Sequence, residues 1–289
     1  MAPAKSQSAL LACWRVTYVA LCSRSPSLRH RKMQAGVRTA RPSLAAQRRH
    51  RASVAYAGHV PLNLFENGLL AVGSALASLN NPHRGDMIAV LSETTGGPFL
   101  ERLRLQMLES PSGRQLLKER PRITSTSANL PELAQLPSGT LGKAYCDWLE
   151  WCKVTPDTRA QVRFIDDPEL AYVMQRYREC HDFYHVITGF PVSVPAEIVV
   201  KWFELANMGL PVAALSAVFG PARLSSVARR RLFSTYVPWA LRCGSTAKPL
   251  INVYWERLWS TPLADIKADL GINEPPISWR DYKKAGVWR

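Results

Sequence analysis

The chain has 289 residues and a formal net charge of +15, which is length enough for one or two domains with a sizeable core. The charge is lopsided: residues 1 to 65 hold eleven Lys and Arg and no acidic residue, while the remainder carries 26 basic and 22 acidic residues, a net of +4. Basicity therefore gives no argument for nucleic-acid binding by the body. The cysteines beyond that stretch, Cys146, Cys152, Cys180 and Cys243, form no C-x-x-C pair and support neither a disulfide framework nor a cysteine zinc knuckle.

An arginine-rich, serine-containing, acid-free start is the composition of a mitochondrial transit peptide. The segment AKSQSALLACWRVTYVALCSR reads as a basic amphipathic helix. A secretory signal is weakened by Arg15 within the apolar run and by arginines continuing to Arg51. A nucleic-acid-binding arm is weakened by the lack of interleaved aromatics. Residues 1–50 are read as a disordered transit peptide, and residues 55–289 as a single all-α domain.

Along the body, Pro61 to Leu79 reads as an apolar helix with small residues, and Asn80-Asn81-Pro82 as a turn. Its uninterrupted run is too short for a membrane span. Arg84 to Glu93 reads as a helix that breaks at Gly96-Gly97-Pro98, followed by helices over Phe99–Glu109 and Gly113–Glu119. Residues 122–138 read as an irregular crossing segment. Thr140 to Lys153 is amphipathic, with Leu141, Tyr145, Trp148 and Leu149 on one side.

Asp167-Pro168-Glu169 is a helix start: a carboxylate cap, proline at the first position and an acid in the first turn. Gly189 and Pro191 mark its stop. Pro195 opens the next helix, and Ile198–Phe219 is an apolar run split by Gly209 and Pro211. That run is a buried hairpin, or a helix that rests on a membrane or lines a lipid tunnel. Pro221 to Leu241 reads as a helix carrying Arg229-Arg230-Arg231, a solvated face or a holder of anionic groups. Lys248 to Leu270 reads as a helix pair before a proline-bearing tail. Strand alternation, internal repeats, G-x-G-x-x-G, Walker and G-x-S-x-G motifs are absent.

Within this order His181, Asp182 and His185 form H-D-x-x-H, and Glu197 follows twelve residues after His185. Two histidines four apart share one helix face, and Asp182 flanks them. Both continue the apolar stripe of Leu170, Met174, Tyr177, Tyr184 and Thr188. Glu197 lies near the start of the returning helix, where it would meet them. Two imidazoles with one or two carboxylates make a zinc set. The plainer readings stay open: hydrogen-bonded core histidines, a solvated or salt-bridged Asp182 beside Gln175, Arg178 and Glu179, and a Glu197 that pairs with Lys201. A Cys180 nucleophile is a weaker alternative. A metal-dependent phosphohydrolase would require further ligands late in the chain, yet no histidine follows His185.

The spacing H-D-x-x-H, eleven residues, Glu resembles the signature of the fourth Coq protein family of ubiquinone biosynthesis. NPHRGDMIAVLSETTG, LPSGTLGKAYCDWL, PDTRAQVRFIDDPELAYVMQRYRECHDFYH and EIVVKWFELANMGLP are similar to family segments, in family order. The resemblance runs from about residue 60 to near the C-terminus, without departure at the four motif positions. It implies Zn2+ held by His181, His185 and Glu197, with Asp182 as a fourth ligand or as a base beside the metal, and catalytic roles for Asp182 and Glu197. It implies a peripheral protein of the mitochondrial inner membrane, matrix side, with an apolar groove for lipid, acting with other Coq proteins in a multi-subunit complex. The implied reaction is zinc-dependent decarboxylation at C1 of 4-hydroxy-3-methoxy-5-polyprenylbenzoate to 2-methoxy-6-polyprenylphenol. The alternative is a non-catalytic lipid-binding scaffold of that complex with a structural zinc.

Overall fold

The computed structural model describes residues 55–284; the expected presequence, residues 1–50, lies outside them. Among the described residues the secondary structure is helical, with one isolated antiparallel bridge between Thr140 and Pro262 and no strand. The all-α expectation holds.

Helix α1 (Leu64–Asn80) starts on a capping box. Asn63 accepts from the Glu66 amide and Glu66 accepts from the Asn63 amide, both at 2.9 Å. It packs along α2 (Gly85–Glu109). The expected break at Gly96-Gly97-Pro98 does not occur, and α2 runs through all three residues. Pro98 has no N–H, so the Thr94 carbonyl loses its helical donor. The Asn67 amide of α1 replaces that donor at 3.2 Å. A partner from a neighbouring helix thus satisfies the carbonyl that a proline orphans.

Helices α3 (Pro111–Glu119), α4 (Leu130–Leu133) and α5 (Leu141–Cys152) follow. As expected, α5 buries Leu141, Tyr145, Trp148 and Leu149. Helix α6 (Pro168–Thr188) is capped by Asp167, which accepts from the amides of Glu169 at 2.7 Å and Leu170 at 3.0 Å, and it ends at Gly189 with φ +76°. Every residue of α6 from Ala171 to Thr188 is buried. Of the two plainer readings of Asp182, the solvated one is therefore corrected and the salt-bridged one holds: Gln175, Arg178, Glu179 and Asp182 are interior and find partners there. Arg178 pairs with Glu93 at 2.7 Å, Glu179 with Arg122 at 2.6 Å, and Asp182 with Arg159. Burial of a charge is costly without a counter-charge, so these pairs are conditions of the packing.

Helices α7 (Val194–Met208) and α8 (Pro211–Phe219) are separated at Gly209, φ +65°, as the glycine and proline predict. The expected helix from Pro221 begins later. Gly220–Arg223 is a 3-10 turn, and Ser225 caps α9 (Ser226–Arg231). The chain then widens into a π turn, Leu232–Tyr236, and continues as α10 (Val237–Thr246). Pro238 enters this helix just after the π turn, where the ladder is already displaced.

The expected helix pair over 248–270 is one helix, α11 (Leu263–Leu270), preceded by two 3-10 turns. Arg176 ties this stretch to α6: its guanidinium donates to the Val253 carbonyl at 3.0 Å and pairs with the Glu256 carboxylate. Trp255 stacks on Phe183 at 5.0 Å between ring centres. A short α12 (Trp279–Lys284) lies in the tail.

Helix α7 is held chiefly by α10. A Cβ on Gly244 would stand 2.5 Å from the Phe203 carbonyl oxygen and 2.9 Å from the Ala206 Cβ. Gly244→Ala is expected to lower stability by about 1–3 kcal/mol through overpacking. Chemical denaturation measures this, and a midpoint equal to that of the parent protein would contradict the contact.

Candidate metal centre

The two histidines lie on one face of α6 with their Nε2 atoms 3.1 Å apart. Glu197, in the first turn of α7, places Oε2 3.3 Å from the His181 Nε2 and Oε1 3.3 Å from the His185 Nε2. The three groups form the one cluster of metal-ligand type among the described residues. A tetrahedral ion with bonds near 2.0–2.1 Å separates its ligand atoms by roughly 3.3–3.4 Å. The imidazole pair at 3.1 Å is close to that figure, and each imidazole meets a different oxygen of the Glu197 carboxylate at 3.3 Å.

Both ring tautomers are set from behind. The His185 Nδ1 donates to the Phe190 carbonyl oxygen at 3.2 Å, and the Trp148 indole N–H donates to the same oxygen at 2.9 Å. The His181 Nδ1 donates to Glu204 Oε1 at 2.5 Å. With both Nδ1 atoms protonated, both Nε2 atoms present lone pairs to one another and to a carboxylate. Three converging electron pairs repel unless a cation or proton sits among them. Such outward partners are what metal-binding histidines ordinarily have.

Glu204 is fully buried on α7. It also accepts from the Tyr177 hydroxyl at 2.5 Å and from Lys201 Nζ at 2.8 Å. Lys201 stands 3.3 Å from the His181 Nδ1, but as a donor it serves Glu204. Burial works against the charge on Glu204, yet Lys201 and His181 hold its carboxyl down at about 2. Burial likewise opposes the Glu197 charge, but His185 and His181 hold that carboxyl well below its usual range. Burial and then Lys201 oppose a proton on His181, and the carboxylates of Glu204 and Glu197 outweigh both, so the imidazole is raised. A field that favours a proton there also favours a divalent ion.

Asp182 is not among the three converging ligands. Its Oδ1 accepts from Arg159, and its Oδ2 is buried without a protein partner. The Arg159 Nε and the Tyr145 hydroxyl are also buried without partners. Burial, then the Asp182 charge, pushes the Tyr145 hydroxyl above its ordinary range. The loop carrying Arg159 is strapped across α6 and α2. Gln175 accepts from the Val162 amide at 2.9 Å, and Glu93 accepts from the amides of Arg163 and Phe164, each at 2.7 Å. Cys180 is buried, and burial pushes its thiol far up, which removes it as a nucleophile.

Glu204 and Arg159 are site residues that the sequence reading does not single out, and Lys201, read there as a partner of Glu197, pairs with Glu204 instead. Glu204 was accessible, because Glu197, Lys201 and Glu204 stand at i, i+4 and i+7 on one face of α7. Arg159 comes from a loop, where no periodicity points inward. With neutral imidazoles, Asp182, Glu197, Glu204, Arg159 and Lys201 sum to one negative charge. A divalent cation would turn that into one positive charge, suited to an anionic ligand.

The family model for "Coenzyme Q (ubiquinone) biosynthesis protein Coq4" matches residues 56–276. The chain is 59% identical over 221 residues to the mitochondrial ubiquinone biosynthesis protein COQ4 of Coprinopsis cinerea, covering 76% of each chain. It is 58% identical over 226 residues to the protein of that name from Laccaria bicolor, covering 78% of this chain and 76% of that one. The Schizosaccharomyces japonicus protein is 51% identical, with 77% and 94% covered. A crystal structure of a protein from Nostoc punctiforme, titled as a putative ubiquinone biosynthesis protein, superposes with a TM-score of 0.58 at 25% identity, over 72% of this chain and 99% of that one.

Replacing the Glu204 carboxylate removes the acceptor that fixes the His181 tautomer. Glu204→Gln is expected to weaken zinc binding by about 10–100-fold, measured by competition with a chromophoric chelator; undiminished affinity would deny Glu204 that role. The same carboxyl, held at about 2 when folded, contributes stability above the ordinary carboxyl range and loses it as pH falls. The difference in unfolding free energy between the parent and Glu204→Gln should therefore shrink on acidification from about pH 4.5 towards about 2, as acid titration of urea midpoints will show.

Proposed function

Because the chain belongs to the family of coenzyme Q (ubiquinone) biosynthesis protein Coq4, we propose that it removes the C1 carboxylate of 4-hydroxy-3-methoxy-5-polyprenylbenzoate, giving 2-methoxy-6-polyprenylphenol, at a zinc centre of His181, His185 and Glu197. The observation that carries the zinc is the meeting of two imidazole lone pairs and a carboxylate at ligand spacing. The relatives are named mitochondrial, and we place the reaction on the matrix face of the inner membrane, within an assembly of Coq proteins that this chain helps to organise. No helix of the described residues is long and apolar enough to cross a membrane, which suits attachment at one face.

Bound zinc supplies a Lewis acid that polarises a substrate oxygen. The remaining work falls to side chains. Arg159, one third exposed and with a free buried Nε, receives the substrate carboxylate. Asp182, with its free Oδ2 beside that arginine, takes up a proton from solvent as the substrate carboxylate displaces it from Arg159, and passes that proton to the ring carbon that bears the carboxylate. The bond to the carboxylate carbon then breaks, its electrons return to the ring, and carbon dioxide leaves. The para hydroxyl donates electron density to the protonated ring during the step. Glu197 keeps the histidines apart and balances charge.

The scaffold reading with a structural zinc requires a closed set of four protein ligands. Here Asp182 stands on Arg159 and Glu197 is one third exposed. Three protein ligands leave a coordination position for substrate, the pattern of catalytic sites. Hydroxylation at the same carbon would need a separate electron acceptor, since zinc is redox-silent.

His181→Ala and Glu197→Gln should lose both zinc and turnover, read by elemental analysis and by product formation from a short-chain analogue. Asp182→Asn should keep the zinc and lose turnover by about 100-fold or more. Full turnover in a zinc-free variant would end the proposal, and loss of assembly without any intrinsic activity in the parent would favour the scaffold.

A further inference from the structure

The outward face of α1 is apolar along its length. Phe65, Leu69, Val72, Leu76 and Leu79 recur at three- and four-residue spacing, with exposure between 45% at Leu79 and 79% at Phe65. Gly68 and Gly73 lie among them, and the only polar members of that exposed face are Glu66 and Asn80. A helix on a protein surface ordinarily turns its polar side outward. This one turns out a ridge roughly 21 Å long.

The C-terminal end of that ridge meets the start of α7 and the approach to α9. Asn80 and His83, Val194 and Pro195, and Arg223 and Ser225 line a common cleft of about 460 Å³. Val194 is three residues before Glu197 on α7, so the cleft opens one turn from the metal ligand. Beyond it, Val218, Phe219, Val227 and Phe233 are exposed. Arg223, Arg229 and Arg230 are exposed among them and make no ion pair within the described residues. Apolar and aromatic side chains interleaved with unpaired arginines match an anionic lipid surface.

We propose that the α1 ridge and the arginine-bearing α8–α9 turn form one surface that rests on an anionic bilayer, with the cleft between them admitting a lipid to the Glu197 end of the site. This rests on the polyprenyl substrate proposed above, whose tail would lie in the same bilayer. The ridge sits among acyl chains and the arginines bind lipid phosphates. A second copy fits less well, because a two-fold pairing sets a surface against itself and would bring these arginines near their own copies. A convex single-helix ridge also demands a groove from a protein partner, whereas a fluid interface accommodates it.

Flotation of the purified protein with vesicles of phosphatidylcholine and phosphatidylglycerol, four to one, tests this. The parent should float with these vesicles and lose roughly tenfold or more of its binding on phosphatidylcholine alone. Leu69→Ser combined with Leu76→Ser, and separately Arg229→Glu combined with Arg230→Glu, should each lose a comparable factor while retaining zinc content and turnover of a tail-free analogue. Variants that float like the parent would overturn the surface assignment. So would a parent that binds neither vesicle, or a ridge variant that turns a dimer into a monomer in light scattering without lipid. Failure of the parent to turn over the tail-free analogue would strike the proposed reaction alone and leave the flotation result standing.

Discussion

A helix buried on every side, yet carrying arginines, carboxylates and histidines, is the constraint on which this fold depends. Each charge on α6 needs a counter-charge within hydrogen-bonding reach, because removing one partner of a buried pair costs about 3–5 kcal/mol. The partners come from distant parts of the chain: Glu93 from α2, Arg122 and Arg159 from the segments before α6, Glu204 from α7, and Glu256 from the turns near the C-terminus. Apolar packing alone would let these elements slide along α6. The ion pairs fix their register.

The candidate site of His181, His185 and Glu197 inherits that fixity. His181 and His185 sit on the helix that everything else surrounds, and their outer nitrogens are held by Glu204 and the Phe190 carbonyl. Trp148 packs against His185 with ring centres 5.4 Å apart and shares its acceptor. Glu197 alone of the three ligands comes from another helix and reaches partly to solvent. The arrangement has a closed, polarised rear and one accessible edge.

Much of this was legible in local sequence. Asp167, Pro168 and Gly189 bound α6 where capping chemistry puts them, and the spacing of His181, His185 and Glu197 foretold their meeting. What the sequence did not yield has a common cause: a distant group overrides a local rule. Pro98 breaks no helix because Asn67 replaces its missing donor. The 250–257 stretch, read as helix, forms 3-10 turns held to α6 by Arg176. Arg159 reaches Asp182 from a loop whose position is dictated by Gln175 and Glu93. The apolar stripe of the first helix was visible as composition, but which of its sides faces outward was not, since both sides are built from small and apolar residues.

The proline in the middle of α2 also bears on motion. With its own donor missing, the Thr94 carbonyl has the Asn67 amide as its partner, and leaving such a group unsatisfied costs about 1–3 kcal/mol when it is out of reach of water. Swinging the first helix away from the second would therefore break a bond that the second helix cannot remake for itself. A single side-chain amide thus acts as a latch between the first two helices.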